Sequence, residues 1–149
     1  DRIEWFVEKS TEIGINSIST VLCEKSERKK IKTQRLEKIT ISAMKQSLQL
    51  HKPTINELVS FEEFTRNCKS DNKFIAHCKE SEKLFLNNCK LKAKTTTVLI
   101  GPEGGFSKNE NGLAEKNGFI SVSLGNNRLR TETAAIAATQ ILSTYNIDI

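Results

Sequence analysis

Hydrophobic and polar positions along the chain switch between two periods, and each switch marks an element. Arg2 to Ile13 reads as a helix stopped by Gly14, where a left-handed backbone is favoured. Ile18 to Cys23 reads as a short strand, and the basic segment Lys25 to Lys32 as a loop. A helix should follow from about Thr33 to Leu50, with Leu36, Ile39, Ala43, Gln46 and Leu50 on one face and Pro53 ending it. Ser60-Phe61-Glu62-Glu63 has the capping-box pattern and should start a short helix. Lys73 to His77 is the next strand, and Glu82 to Cys89 a further short helix. Thr95 to Ile100 is the clearest strand, apolar and β-branched like a buried parallel strand. Ser107-Lys108-Asn109-Glu110 is a second capping box, opening a helix that Gly118 closes. Phe119 to Leu124 gives the last strand and Thr131 to Tyr145 the last helix.

Strands alternating with helices predict an α/β fold, a mostly parallel sheet with helices on both faces. Ligands of such sheets bind beyond the carboxyl ends of the strands. The 149 residues suit one domain, and no repeat, low-complexity tract or internal linker divides them. The chain opens at Asp1, already in helical pattern and without Met, so a preceding segment is expected.

Hydrophobic residues at 37% and charged residues at 28% are ordinary for a soluble globular protein. No apolar run approaches the roughly 20 residues that cross a bilayer, so no membrane partner is expected and the location should be cytoplasmic. Cys23, Cys68, Cys78 and Cys89 show no C-x-x-C pairing, and only His51 and His77 could help them bind metal. Reduced, mostly buried thiols and no metal are expected. The net charge of +5 is concentrated: residues 24 to 52 hold nine Lys/Arg against Glu24, Glu27 and Glu37. A local basic field of this kind suits a polyanion such as RNA. Arg28, Lys29 and Lys30 could meet phosphates from the loop, and Lys38, Lys45 and Lys52, spaced by seven, from a stripe. Gln46 could touch RNA or make a structural hydrogen bond.

Two loops stand where the strand-end rule places a ligand. The first is Leu99-Ile100-Gly101-Pro102-Glu103-Gly104-Gly105-Phe106-Ser107, whose three glycines allow a sharp turn and close approach to a bound molecule. It lacks the Lys-Ser/Thr of a P-loop and the spacing of a dinucleotide fingerprint. It also carries Glu103, a carboxylate that suits a cationic ligand such as S-adenosylmethionine better than a phosphate. The second is Leu124-Gly125-Asn126-Asn127-Arg128-Leu129-Arg130-Thr131-Glu132-Thr133-Ala134. Thr131 or Thr133 can cap the last helix, whose N-terminal N–H groups then face the same region.

These two loops, in this order, closely resemble the ribosomal RNA small-subunit methyltransferase E family. Glu8-Lys9-Ser10-Thr11-Glu12-Ile13-Gly14 and Lys45-Gln46-Ser47 match its pattern as well. The chain departs from it at Gln49 and Asn127, where many relatives carry Arg.

The resemblance implies a SPOUT-class domain over residues 1–149, with a C-terminal trefoil knot, lacking the family's N-terminal PUA-like RNA-binding barrel. It further implies methylation of N3 of a uridine in 16S ribosomal RNA, within the small ribosomal subunit, by a homodimer that binds S-adenosylmethionine. The cofactor site would comprise His77, Leu99, Ile100, Gly101, Pro102, Glu103, Gly104, Gly105, Leu124, Gly125, Arg128, Leu129, Arg130, Thr131 and Thr133. Arg128 could also contact RNA. Arg130 would stabilise negative charge on the uracil oxygens. Glu132 is a candidate base, a partner orienting Arg130, or an acid satisfying the helix N-terminus. In the last helix Ala134, Ala138, Ile141 and Tyr145 share a face that admits a close neighbour, within the chain or across a dimer. A non-catalytic RNA-binding module, or a SPOUT enzyme acting on transfer RNA or a ribose 2′-hydroxyl, are the alternatives.

Overall fold

The computed structural model describes residues 1–77, 84–91 and 95–145. In chain order the helices are α1 (Arg2–Ile13), α2 (Thr33–Ser47), α3 (Phe61–Asn67), α4 (Lys108–Lys116) and α5 (Thr131–Thr144). The strands are β1 (Ser17–Leu22), β2 (Thr54–Ser60), β3 (Asn72–Ala76), β4 (Thr96–Ile100) and β5 (Ile120–Val122). Every ladder between these strands is parallel: β1 pairs with β2, and β3 lies between β4 and β5. The expected single sheet is therefore two hydrogen-bonded units among the described residues.

Side chains alternate across β3 and so divide the core. Ile75 points to Cys23, Phe61, Leu99, Phe106, Ala114 and Phe119, the face covered by α3 and α4. Phe74 points to Leu86, Cys89, Val122 and Ala138, the face covered by α5. A third cluster, Val7, Ile18, Leu36 and Ile55, joins α1 and α2 to the β1–β2 pair. Helices on both faces are thus present.

Four details differ from the expected pattern. Strand β2 has no clean alternation because its pairing with β1 slips between Ser19/Asn56 and Val21/Val59. One extra residue on β2 shifts its apolar positions by one, as a bulge does. Helix α2 stops at Ser47, where Leu48 takes a left-handed φ of 58°. Its buried stripe runs through Leu36, Thr40 and Ala43, so Gln46 is exposed and Leu50 is 99% exposed. Lys52 consequently lies off the helix that carries Lys38 and Lys45. Within the expected Glu82–Cys89 helix, Glu82 lies outside the described residues. Phe85 makes a parallel bridge to Ser123, and Leu86–Asn88 form a 3-10 turn. Finally, neither Thr131 nor Thr133 caps α5. Arg130 takes the N-cap position without a side-chain bond.

Of the cysteines, Cys23 and Cys89 are buried, Cys68 is half-buried, and Cys78 lies outside the described residues. Burial, with the Glu110 carboxylate adding, pushes the Cys23 thiol up to about 12. Native Cys23 should therefore resist iodoacetamide at pH 8 while unfolded chain reacts, as mass mapping can show. The unfolded thiol ionises first as pH rises, so the folded state binds more protons. Its contribution to stability is whole below pH 9 and declines between 9 and about 12.

Candidate active site

The sheet ends in register. Ala76 at the end of β3 pairs with Ile100 on one side and Val122 on the other, and the His77 N–H donates to Val122 O at 3.1 Å. Three chain exits, after Ala76, Ile100 and Val122, therefore stand side by side at the carboxyl edge. His77, Gly101 and the Ser123-Leu124-Gly125 turn occupy them.

The glycine loop folds back at once: the Gly105 N–H donates to Pro102 O at 2.8 Å, with Gly105 at φ 73°. A side chain at Gly101 would press its Cβ to 3.2 Å from the Phe106 ring. That ring is buried against Phe61, so Gly101 lets the loop close over the core. The loop ends in a reciprocal capping box. Ser107 Oγ accepts from Glu110 N–H at 3.1 Å, and Glu110 Oε2 accepts from Ser107 N–H at 2.9 Å.

After β5 the chain crosses the sheet end to the far side of β3. There Thr131 Oγ1 donates to Gly101 O at 3.1 Å and joins the two loops directly. A cavity of about 980 Å³ opens beside this junction, with Leu99 to Glu103 on one wall and Thr131 and Glu132 on another. Arg2, from α1, sits between the two acids: Arg2 Nη1 lies 2.8 Å from Glu103 Oε1, and Arg2 Nε lies 3.9 Å from Glu132 Oε1. The Glu132 side chain is only 15% exposed, and its Oε2 is buried with no hydrogen-bond partner. A buried carboxylate oxygen left unpaired is costly, and a ligand N–H or cation would relieve it.

The expected residues divide into groups. Leu99, Ile100, Gly101, Pro102, Glu103, Thr131 and Glu132 share the cavity. His77, Leu124 and Gly125 stand at the same sheet edge. Gly104 and Gly105 form the outer turn, and Leu129 is half-buried. Arg128, Arg130 and Thr133 are exposed, and neither arginine forms an ion pair with a described residue. Among the RNA candidates Lys29, Lys30, Lys38, Lys45, Gln46 and Lys52 are exposed, whereas Arg28 Nη1 is bound to Asp1 Oδ2 at 2.6 Å.

Arg2 was not legible as a site residue. It belongs to the first turn of a helix whose pattern announces only amphipathic packing. Glu132, read from the sequence as a base, a partner orienting Arg130 or an acid at the helix N-terminus, has Arg2 as its ion-pair partner.

A family model for the RNA methyltransferase domain matches residues 1–143. The chain belongs to that family. The ribosomal RNA small subunit methyltransferase E of Aquifex aeolicus is 33% identical over 153 residues, covering 96% of this chain and 63% of the relative. Among solved structures, a Legionella pneumophila methyltransferase in complex with bound cofactor SAM superposes with a TM-score of 0.90 at 31% identity. It covers 97% of this chain, which spans 62% of that protein. The Neisseria gonorrhoeae ribosomal RNA small subunit methyltransferase E bound to S-adenosyl methionine superposes with a TM-score of 0.84, also at 31% identity. The shares are 97% and 61%. The domain thus spans about three fifths of these relatives. No helix among its described residues is long and apolar enough to cross a membrane.

Proposed function

We propose that this domain transfers a methyl group from S-adenosylmethionine to ribosomal RNA of the small subunit, at N3 of a uridine in 16S RNA. One observation carries the reading: the Thr131–Gly101 bond joins the two motif loops beside a cavity that Leu99–Glu103, Thr131 and Glu132 line together with α1 and β1, and the buried Glu132 Oε2 has no hydrogen-bond partner. The donor set fits the group. Glu103 and Glu132 offer carboxylates to a sulfonium and an ammonium, and the glycine turn brings backbone close without side chains. Two relatives of this fold hold that compound.

S-adenosylmethionine supplies, when bound, an electrophilic methyl carbon on a cationic sulfur. The protein's share is to position the base, to take up its proton and to hold the charge that develops. Orientation of this kind can contribute about 7–11 kcal/mol. Glu132, largely buried and two residues from Arg130, accepts the N3 proton or orients the base. Arg130 donates to the uracil oxygens as negative charge gathers there. Arg2 lies between the two carboxylates and fixes their positions, 2.8 Å from Glu103 and 3.9 Å from Glu132.

The reading includes a trefoil knot, supported by the passage of the chain from β5 across to Gly101. It includes a homodimer too. Helix α5 is Ala- and Ile-rich, yet only Ala138 is fully buried, and Ala137, Gln140, Ile141 and Tyr145 line an open groove. An RNA-binding barrel on the whole protein and a cytoplasmic location complete it.

Titration calorimetry with S-adenosylmethionine, followed by mass mapping of methylated small-subunit RNA, tests the proposal. Binding and a single modified uridine base are expected. No binding would favour a non-catalytic RNA module, and a methylated ribose or transfer RNA would change the substrate. On the RNA side, Lys29→Glu with Lys30→Glu should lower affinity at least tenfold. It should also flatten the salt dependence by about 1.4 to 1.8 in log–log slope, for two lost phosphate contacts. Affinity insensitive to both charge and salt would remove this surface from the interface.

A further inference from the structure

The basic loop after β1 touches the glycine loop at Gly104. Lys25 Nζ donates to Gly104 O at 3.1 Å, and its aliphatic stem lies where a Cβ on Gly104 would come within 3.0 Å of Cδ. Arg28 holds Asp1 at 2.6 Å, and the neighbouring Arg2 holds Glu103 at 2.8 Å. A third tie anchors the base of both loops. The Glu24 N–H donates to Glu110 Oε1 at 2.7 Å, while Glu110 Oε2 fixes Ser107 at the end of the glycine loop. Glu110 is 4% exposed, so one buried carboxylate clasps two segments that lie 86 residues apart.

The cations of this loop divide by direction. Lys25 and Arg28 are engaged inward, with the glycine loop and the α1 N-terminus. Lys29 and Lys30 are exposed and form no ion pair with a described residue. The outward pair is free for phosphates, and the inward pair is committed to holding the methyl-donor site.

We propose that Lys25 is a positioning residue that couples the two loops, so that RNA phosphates on Lys29 and Lys30 and a cofactor in the glycine loop strengthen each other's binding. The physical basis is shared ordering. Whichever ligand binds first fixes the backbone of both loops, and the second meets less conformational entropy to lose. The inference rests on the reading of this site as a methyl-donor pocket. It adds a thermodynamic link between that pocket and the RNA face.

Coupling is reciprocal, so one number measured twice checks it. Calorimetric titration of S-adenosylmethionine into the protein, with and without saturating 16S ribosomal RNA, should give about fivefold tighter binding with RNA, and RNA affinity should rise by the same factor with cofactor present. In Lys25→Met the stem still covers Gly104 but the hydrogen bond is lost, and the coupling factor should fall to about one. Lys25→Arg can still donate to the carbonyl and should restore it. Structural damage alone would weaken cofactor binding equally with and without RNA and leave the ratio unmoved. A wild-type factor of one, or a factor that survives Lys25→Met, overturns the coupling and leaves the methyl-donor reading intact. Failure of the wild type to bind cofactor or RNA at all would overturn both.

Discussion

Arg130→Ala should lower methyl transfer about a hundred- to thousandfold, the range seen when a donor to a developing oxyanion is removed, with cofactor affinity changed by less than about threefold. Three features put this arginine where the charge develops. It directly precedes Thr131, whose hydroxyl is bonded to Gly101 O at 3.1 Å, so its backbone is fixed beside the cavity. It is the N-cap of α5, so its side chain leaves the helix at the end where the N–H dipoles also favour negative charge. And it has no ion pair with a described residue, so its fork of donors remains for a substrate. Arg130→Lys should recover only part of the loss, because a single ammonium cannot reproduce a planar pair of donors on a flat base. Single-turnover transfer of labelled methyl to small-subunit RNA, paired with calorimetric cofactor affinity, separates the chemistry from binding. Unchanged turnover in Arg130→Ala would take the role from it and leave Arg128 as the remaining free arginine of that loop.

How far the chain could be read in advance follows the range of the interactions. The strand Thr96–Ile100, of which only Leu99 is fully buried, the capping box at Ser107 and the stop at Gly14 are local signals, and each element lies where its period and caps put it. The two motif loops were legible for the same reason, since each runs from a strand end into a helix start. Strand β2 was not, because a bulge breaks the alternation on which a strand is recognised. Gln46 was put on the wrong face because α2 carries Thr40, a polar residue, in its buried stripe. Thr40 satisfies itself there by donating to Leu36 O, which periodicity of apolar residues cannot reveal. The contacts that shape the site are longer in range still. Arg2 to Glu103, Glu24 to Glu110 and Lys25 to Gly104 span 101, 86 and 79 residues. Nothing local distinguishes Lys25 or Arg2 from any other solvated cation on a basic chain. Only the fold, by bringing the ends of β1, β4 and α1 together, makes them part of the site.

Stability should answer most strongly to Ile75→Ala. Ile75 is 1% exposed at the centre of the cluster that holds Phe61, Leu99, Phe106, Ala114 and Phe119. Truncation to Ala removes three carbons from a site closed on every side, and the loss in such positions is about 2–5 kcal/mol. For a domain of this size that lowers the melting temperature by roughly 10 °C. Ile120→Ala is the matched control, because Ile120 is 52% exposed on the edge strand and its truncation should cost less than about 1 kcal/mol. The core change should also reach the site. Ile75 precedes Ala76, whose register with Ile100 and Val122 sets the three chain exits, and it packs under Phe106 at the foot of the glycine loop. Cofactor affinity should therefore fall in Ile75→Ala at temperatures where the variant is still folded, and stay level in Ile120→Ala. Thermal unfolding of both variants, with calorimetry well below the midpoint, is the measurement. A loss under 1 kcal/mol for Ile75→Ala would mean that this cluster neither closes the core nor braces the loops.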